Sequence, residues 1–172
     1  MSVRLAHGMD GAPRATPVRA VVALGANLGA RFETLAAAVE ELRSLTLTDD
    51  VRVSEPMETV AVTLDGEDED APRYLNAVAL LRTRLAPAEL LASLHRIEAR
   101  HGRVRRERWG DRTLDLDLIA YGDEIIARDD LVVPHPRAHE RAFVLAPWAQ
   151  LDSDAEIPGR GRVVDLLEGL GR

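Results

Sequence analysis

The chain has 172 residues, enough for one ordinary domain and short for two; 46% of them are hydrophobic and only 3% aromatic, so the core must be built from Leu, Val, Ile and Ala. It contains no cysteine, which excludes disulfides, thiolate metal sites and thiol catalysis. All 22 basic residues are arginine, which excludes Schiff-base lysines and the P-loop lysine, and the net charge of -7 argues against nonspecific nucleic-acid binding.

No run of 18 apolar residues exists, so no membrane helix is expected. Met1–Pro17 lacks an apolar signal core and reads as a disordered leader ahead of a single domain over residues 18–172, with a cytoplasmic address expected. Ala20–Leu24 is a short apolar strand that runs into the turn Gly25-Ala26-Asn27-Leu28-Gly29. A helix is expected over Arg31–Leu45, where Leu35, Ala38, Val39 and Leu42 recur at helical spacing. Val51–Ser54 and Thr59–Leu64 read as short strands, Asp65–Asp70 as a solvated charged loop, and Tyr74–Arg82 as an apolar strand.

Pro87 marks a helix start, Leu90, Leu91, Leu94 and Ile97 form its apolar stripe, and Gly102 is a stop. Arg103–Arg112 is a polar loop. Leu114–Tyr121 alternates Leu with Asp before turning apolar, as a strand does. A strand at Leu131–Val133, a helix around Glu140–Ala149 and a helix at Val163–Leu170 complete the chain. The order β-α-β-β-α-β plus a tail predicts an α+β domain with helices packed on a mostly antiparallel, ferredoxin-like sheet.

Asp115 and Asp117 stand two apart on their strand, so both carboxylates point to one face while Leu114, Leu116 and Leu118 point into the core. A half-buried strand with a solvated acidic face would carry the same pattern. The alternative is a cation between them: Mg²⁺ takes a few carboxylate oxygens and completes its shell with water and phosphate. Arg96–Arg112 favours the cation, holding seven arginines against Glu98, Glu107 and Asp111 on an otherwise acidic chain. Carboxylates for metal beside arginines for phosphate suit nucleotide chemistry.

The remaining candidates are weak singly. Trp109 either docks on the core or covers a planar ligand. His135, after the Leu131–Val133 strand, reads as structural or as a phosphate contact. The Gly25–Gly29 turn precedes a helix but lacks the spacing of a phosphate-binding glycine motif. Tyr74 and Asn76 share a strand face, where an amide could read a heterocycle edge with both donor and acceptor.

Together these segments resemble the 6-hydroxymethyl-7,8-dihydropterin pyrophosphokinase family. The most specific stretch is Arg108-Trp109-Gly110-Asp111-Arg112-Thr113-Leu114-Asp115-Leu116-Asp117-Leu118-Ile119. Ala23–Gly29, Tyr74–Val78, Gly102–Arg105, Val133-Pro134-His135 and Arg141-Ala142-Phe143 support it, in order, from about residue 20 to about residue 150. The resemblance implies a ferredoxin-like sandwich and transfer of diphosphate from ATP to 6-hydroxymethyl-7,8-dihydropterin, with AMP leaving.

On the same basis, Asp115 and Asp117 would hold two Mg²⁺ ions against the ATP triphosphate, with Arg103 and Arg112 as further catalytic groups on the phosphates. His135 and Arg141 would also contact phosphate, Arg105 and Arg108 would lie in a mobile basic loop, and His95 and Leu118 would border the nucleotide. Asn76 would hydrogen-bond the pterin, Tyr74 and Phe143 would enclose its ring, and Trp109 would close over it. Thr59, Val60 and Val62 would add main-chain contacts. Ala26, Val60, His95, Asp130 and Pro136 depart from residues common in the family. No side chain stands out as a general base. The expected partners are the two substrates, with no nucleic acid, no membrane and a monomeric chain. Two rivals are an RNA-binding ferredoxin-like domain, which would need aromatic stacking residues beyond Tyr74 and Tyr121, and a small-molecule-binding domain without turnover.

Overall fold

Val18–Ala26 is apolar on both sides of its pleat, the pattern of a strand covered on both faces, and it lies at the middle of the main sheet. The structure, a computed structural model, describes residues 4–5, 11–63, 66–68, 73–102 and 113–171. The strands are β1 (Arg4–Leu5), β2 (Val18–Ala26), β3 (Thr48–Val53), β4 (Met57–Thr59), β5 (Ala61–Thr63), β6 (Gly66–Asp68), β7 (Tyr74–Thr83), β8 (Asp115–Tyr121), β9 (Glu124–Arg128), β10 (Leu131–Val133), β11 (Glu156–Ile157) and β12 (Gly161–Arg162). The helices are α1 (Arg31–Arg43), α2 (Pro87–Arg100), α3 (Ala142–Leu151) and α4 (Val163–Leu170), with a 3-10 turn at Ala138–Glu140.

The main sheet runs β3-β7-β2-β8, antiparallel throughout, and β4 also pairs with the start of β7. With α1 joining β2 to β3 and α2 joining β7 to β8, this is the ferredoxin-like α+β order that the residue pattern predicts. One sheet face packs Val22, Leu24, Leu81 and Leu116 against Leu35 and Leu42 of α1 and Leu90, Leu94 and Ile97 of α2. Each such side chain contributes about 1.5–3 kcal/mol through burial.

The opposite face packs Val21, Val78, Leu80 and Ile119 against Val144, Leu145 and Trp148 of α3 and Val163 of α4. Strand alternation carries that face on to Gly25, Asn76, Asp115 and Asp117, which are not part of its apolar core. A bulge between β2 and β8 inserts Ile119, since Val21 pairs with Ala120 but Val22 with Leu118.

The structure differs from the sequence expectation in several places. Gly66–Asp68, expected as charged loop, pairs with β5 as a hairpin, because a ladder needs only backbone groups. The helix expected from Glu140 starts at Ala142, after the 3-10 turn. Strand β10 falls where a strand is expected, at Leu131–Val133, but its partner β9, the pairing of β9 with β1 and the β11–β12 pair are not announced by the apolar patterning. Within the expected leader, Arg14 donates its backbone N–H to Arg84 O, pairs with Glu124 at 2.9 Å and lies over the Tyr121 ring at 5.6 Å. The Arg103–Arg112 loop lies outside the described residues.

Candidate active site

Antiparallel register assembles the site from three neighbouring strands. Gly25 of β2 stands opposite Asn76 of β7 on one side and opposite Asp115 of β8 on the other. One row further in, Ala23 stands between Val78 and Asp117. Asp115 and Asp117 are half-buried on this face, while Leu114, Leu116 and Leu118 are buried on the other. A Cβ on Gly25 would lie 3.3 Å from Asn76 Oδ1 and 4.0 Å from Asp115 Cβ, so a side chain there would crowd the amide, and glycine keeps the middle of the row open.

The Asn76 amide is oriented from the far side. Its Nδ2 donates to Thr59 Oγ1 at 2.7 Å, and β4 brings Thr59 opposite Tyr74 and Met57 opposite Asn76. Tyr74 and Val60 are half-buried beside it. Arg31 ties the start of α1 to this corner by donating to Glu58 at 2.9 Å and to the Arg73 carbonyl.

The other end of the row carries positive charge. Arg141 Nη1 lies 3.7 Å from Asp117 Oδ2, and its guanidinium covers the half-buried Phe143 ring at 5.6 Å. Helix α3 begins immediately after Arg141, which adds the positive end of its dipole. His135 N–H donates to the carbonyl of the bulged Ile119 at 2.8 Å, which holds the histidine beside β8. Its Nδ1 accepts the Arg137 N–H at 3.2 Å, which assigns the proton of the neutral ring to Nε2. Burial holds the His135 pKa below the ordinary 6.5; Arg141 and Arg137 add to the depression, while Asp117 and Asp115 oppose it. The ring is therefore a neutral Nε2–H donor at neutral pH.

Among the described residues no three His, Cys, Asp or Glu side chains could jointly hold a metal. Two carboxylates on one strand face form an incomplete, all-oxygen donor set. That composition fits Mg²⁺, which keeps most of its shell for water and phosphate.

Other candidates stand elsewhere. His95 is exposed on α2, and the Leu118 side chain is in the α1–α2 core, leaving only its main chain to meet a ligand. Val62 is described only by the backbone of β5. Arg103, Arg105, Arg108, Trp109 and Arg112 lie outside the described residues. Asp130 pairs with Arg128 at 2.8 Å on the exposed surface. Tyr121 is fully buried and donates its hydroxyl to Leu85 O, so it offers no stacking surface to RNA. Glu98, which in the sequence counts only as an acid offsetting the arginines, is 1% exposed and accepts the Leu116 N–H at 2.7 Å. Its signal was present: Glu98 follows Leu90 and Leu94 at helical spacing on the apolar stripe of α2.

Residues 21–153 match the family model described as 7,8-dihydro-6-hydroxymethylpterin-pyrophosphokinase (HPPK). The chain is 40% identical over 151 residues to the 2-amino-4-hydroxy-6-hydroxymethyldihydropteridine pyrophosphokinase of Haemophilus influenzae, covering 88% of this chain and 92% of that one. It is 41% identical over 149 residues to the protein of the same name from Pseudomonas aeruginosa, covering 87% and 90%. Among solved structures, wild-type Plasmodium falciparum HPPK-DHPS superposes with a TM-score of 0.65 at 11% identity, a likeness of fold. That match covers 93% of this chain and 41% of the longer one.

Proposed function

The chain belongs to the 7,8-dihydro-6-hydroxymethylpterin-pyrophosphokinase family, and from that premise we propose that the Asn76–Gly25–Asp115 row is where its two substrates meet. The enzyme transfers a diphosphate from ATP to hydroxymethyl dihydropterin, a step of folate biosynthesis. The pterin hydroxymethyl oxygen bonds to the β-phosphorus of ATP, the bond from that phosphorus to the α,β-bridging oxygen breaks, AMP leaves and the hydroxyl proton is released.

Asn76 presents its amide to the pterin edge, with Thr59 fixing the amide's orientation and Tyr74 and Phe143 bordering the ring. Gly25 leaves the floor flat between this amide and the carboxylates two strands away. Asp115 and Asp117 would hold two Mg²⁺ ions in this reading. Bound there, Mg²⁺ would supply neutralisation of polyphosphate charge and polarisation of the phosphorus under attack. Arg141, with Nη1 3.7 Å from Asp117 Oδ2, offers its guanidinium to phosphate at this end of the row. His135 donates Nε2–H without adding charge. These groups align the reactants and stabilise charge, which is the larger part of phosphoryl-transfer catalysis. Arg103, Arg105, Arg112 and Trp109 join the site, and His95 and the Leu118 main chain the nucleotide border, on the strength of the family motif. The enzyme works as a cytoplasmic monomer.

The observation that carries this reading is the register that puts an amide and a carboxylate pair on one face, with glycine between. Purified protein incubated with ATP, MgCl₂ and 6-hydroxymethyl-7,8-dihydropterin should yield AMP and the pterin diphosphate in equal amounts. Inert protein, or ADP in place of AMP, would overturn the assignment.

A further inference from the structure

Glu98 is an acid on the buried side of a helix, where an ionised carboxylate is expensive unless it is hydrogen-bonded. What it bonds is specific. Among the described residues strand β8 is an edge of the main sheet, since its ladder there is with β2. Its other side therefore presents backbone groups to whatever packs there, and α2 covers the strand. The N–H presented at Leu116 would be orphaned by an apolar helix surface. Glu98 supplies the acceptor, with Oε1 at 2.7 Å from Leu116 N, a short hydrogen bond.

Leu116 lies between Asp115 and Asp117, and the bonded N–H belongs to the Asp115–Leu116 peptide. Holding that peptide fixes ψ of Asp115 and φ of Leu116, hence the direction in which Asp115 leaves the strand. On the far side of the pair, the His135 N–H holds the Ile119 carbonyl in the same way, so the edge is fastened on both sides of Asp117. A metal site needs its ligands held to fractions of an ångström by groups that are not themselves ligands.

We propose that Glu98 is a positioning residue for the Asp115–Asp117 pair: through the Leu116 N–H, it sets the edge of β8 so that both carboxylates are presented together to a divalent cation. This rests on the reading of the pair as a metal site. The role is that of an acceptor, so glutamine keeps it and an apolar side chain of the same size loses it.

The test compares Glu98→Gln with Glu98→Met, which preserves volume and removes the acceptor. Amide hydrogen exchange at Leu116 should stay protected in Glu98→Gln and accelerate at least tenfold in Glu98→Met. Mn²⁺ binding, measured by electron paramagnetic resonance with a non-hydrolysable ATP analogue present, should stay within about threefold in Glu98→Gln and weaken at least tenfold in Glu98→Met. Pterin affinity should be unchanged in both. Wild-type Mn²⁺ affinity in Glu98→Met, or an equal loss in both variants, overturns the proposal. Should Glu98→Met fail to fold, Glu98→Gln still decides: a tenfold loss of Mn²⁺ affinity there overturns it, and retention with a protected Leu116 amide supports it. Asp115→Asn run in parallel separates the two readings. If Asp115→Asn leaves Mn²⁺ affinity intact, the metal assignment fails; if Asp115→Asn loses it and Glu98→Met does not, only the role of Glu98 fails.

Discussion

Asn76 Oδ1 lies 3.3 Å from the point where a side chain at Gly25 would begin. Gly25 has no left-handed backbone to explain it, and a glycine within a central strand costs stability through entropy and lost packing. The missing methyl is therefore explained by what the two neighbouring strands carry. Gly25→Ala should fold, since the contact can relax by a few tenths of an ångström. Its pterin affinity should fall by about tenfold, within the ~1–3 kcal/mol range of overpacking. ATP affinity should stay the same. Calorimetric titration with each ligand separately checks this, and equal losses for both would mean that the glycine serves only packing.

Thr59 acts on the same amide from the other side. Thr59→Val keeps the shape and removes the oxygen that accepts Asn76 Nδ2. The amide is then free to turn, and pterin binding should weaken by ~0.5–1.5 kcal/mol, the worth of one such bond. Asn76→Ala removes the recognising group itself and should cost more, leaving ATP binding intact. A double variant no worse than Asn76→Ala alone would show that Thr59 works through Asn76. Fully additive losses would contradict that order of action.

The carboxylate pair separates activity from stability. Asp117 and Arg141 are 3.7 Å apart and both partly exposed, so the ion pair itself is worth about 1 kcal/mol or less. Asp117→Asn should therefore shift the unfolding free energy of the metal-free protein by no more than about that amount. AMP formation should fall by roughly 10²-fold or more, the scale on which losing a transition-state charge contact acts. Asp115→Asn should behave alike. Undiminished AMP production in either variant would remove the pair from the mechanism.

How much of this was legible beforehand follows from which interactions are local. The alternation Leu114-Asp115-Leu116-Asp117-Leu118 is local, and a period of two leaves no choice about faces. The apolar stripes of α1 and α2, and the span of α4, are local in the same sense. The row Asn76–Gly25–Asp115 is not, because it depends on the register of three strands separated by two helices. Gly25 accordingly reads in sequence as the start of a turn, whereas it is strand floor. Glu98 was hidden by class rather than distance: a charged residue in an apolar stripe looks like an interruption until its backbone partner is seen. Arg14 was hidden by position, since nothing in Met1–Pro17 predicts that its guanidinium finds Glu124 and the Tyr121 ring.

His135 makes the site sensitive to pH in a direction that can be worked out. Burial, joined by Arg141 and Arg137, holds its folded-state pKa below 6.5 despite Asp117 and Asp115. A histidine so depressed binds its proton more weakly in the folded chain than in the unfolded one. Between the folded value and 6.5 the unfolded chain carries more proton, so the unfolding free energy falls as pH is lowered through that window. The stabilising contribution is complete above 6.5 and is lost below it. Urea unfolding of the metal-free protein between pH 7.5 and 5.5 should show this loss, and His135→Gln should show a shallower one. Polyphosphate beside the ring favours the protonated form, so an ATP analogue should bind relatively better to the wild type as pH falls from 7.5 to 6, and the gain should disappear in His135→Gln. Parallel pH profiles for the two proteins, in unfolding and in binding, would mean that His135 neither titrates in this window nor faces the phosphates.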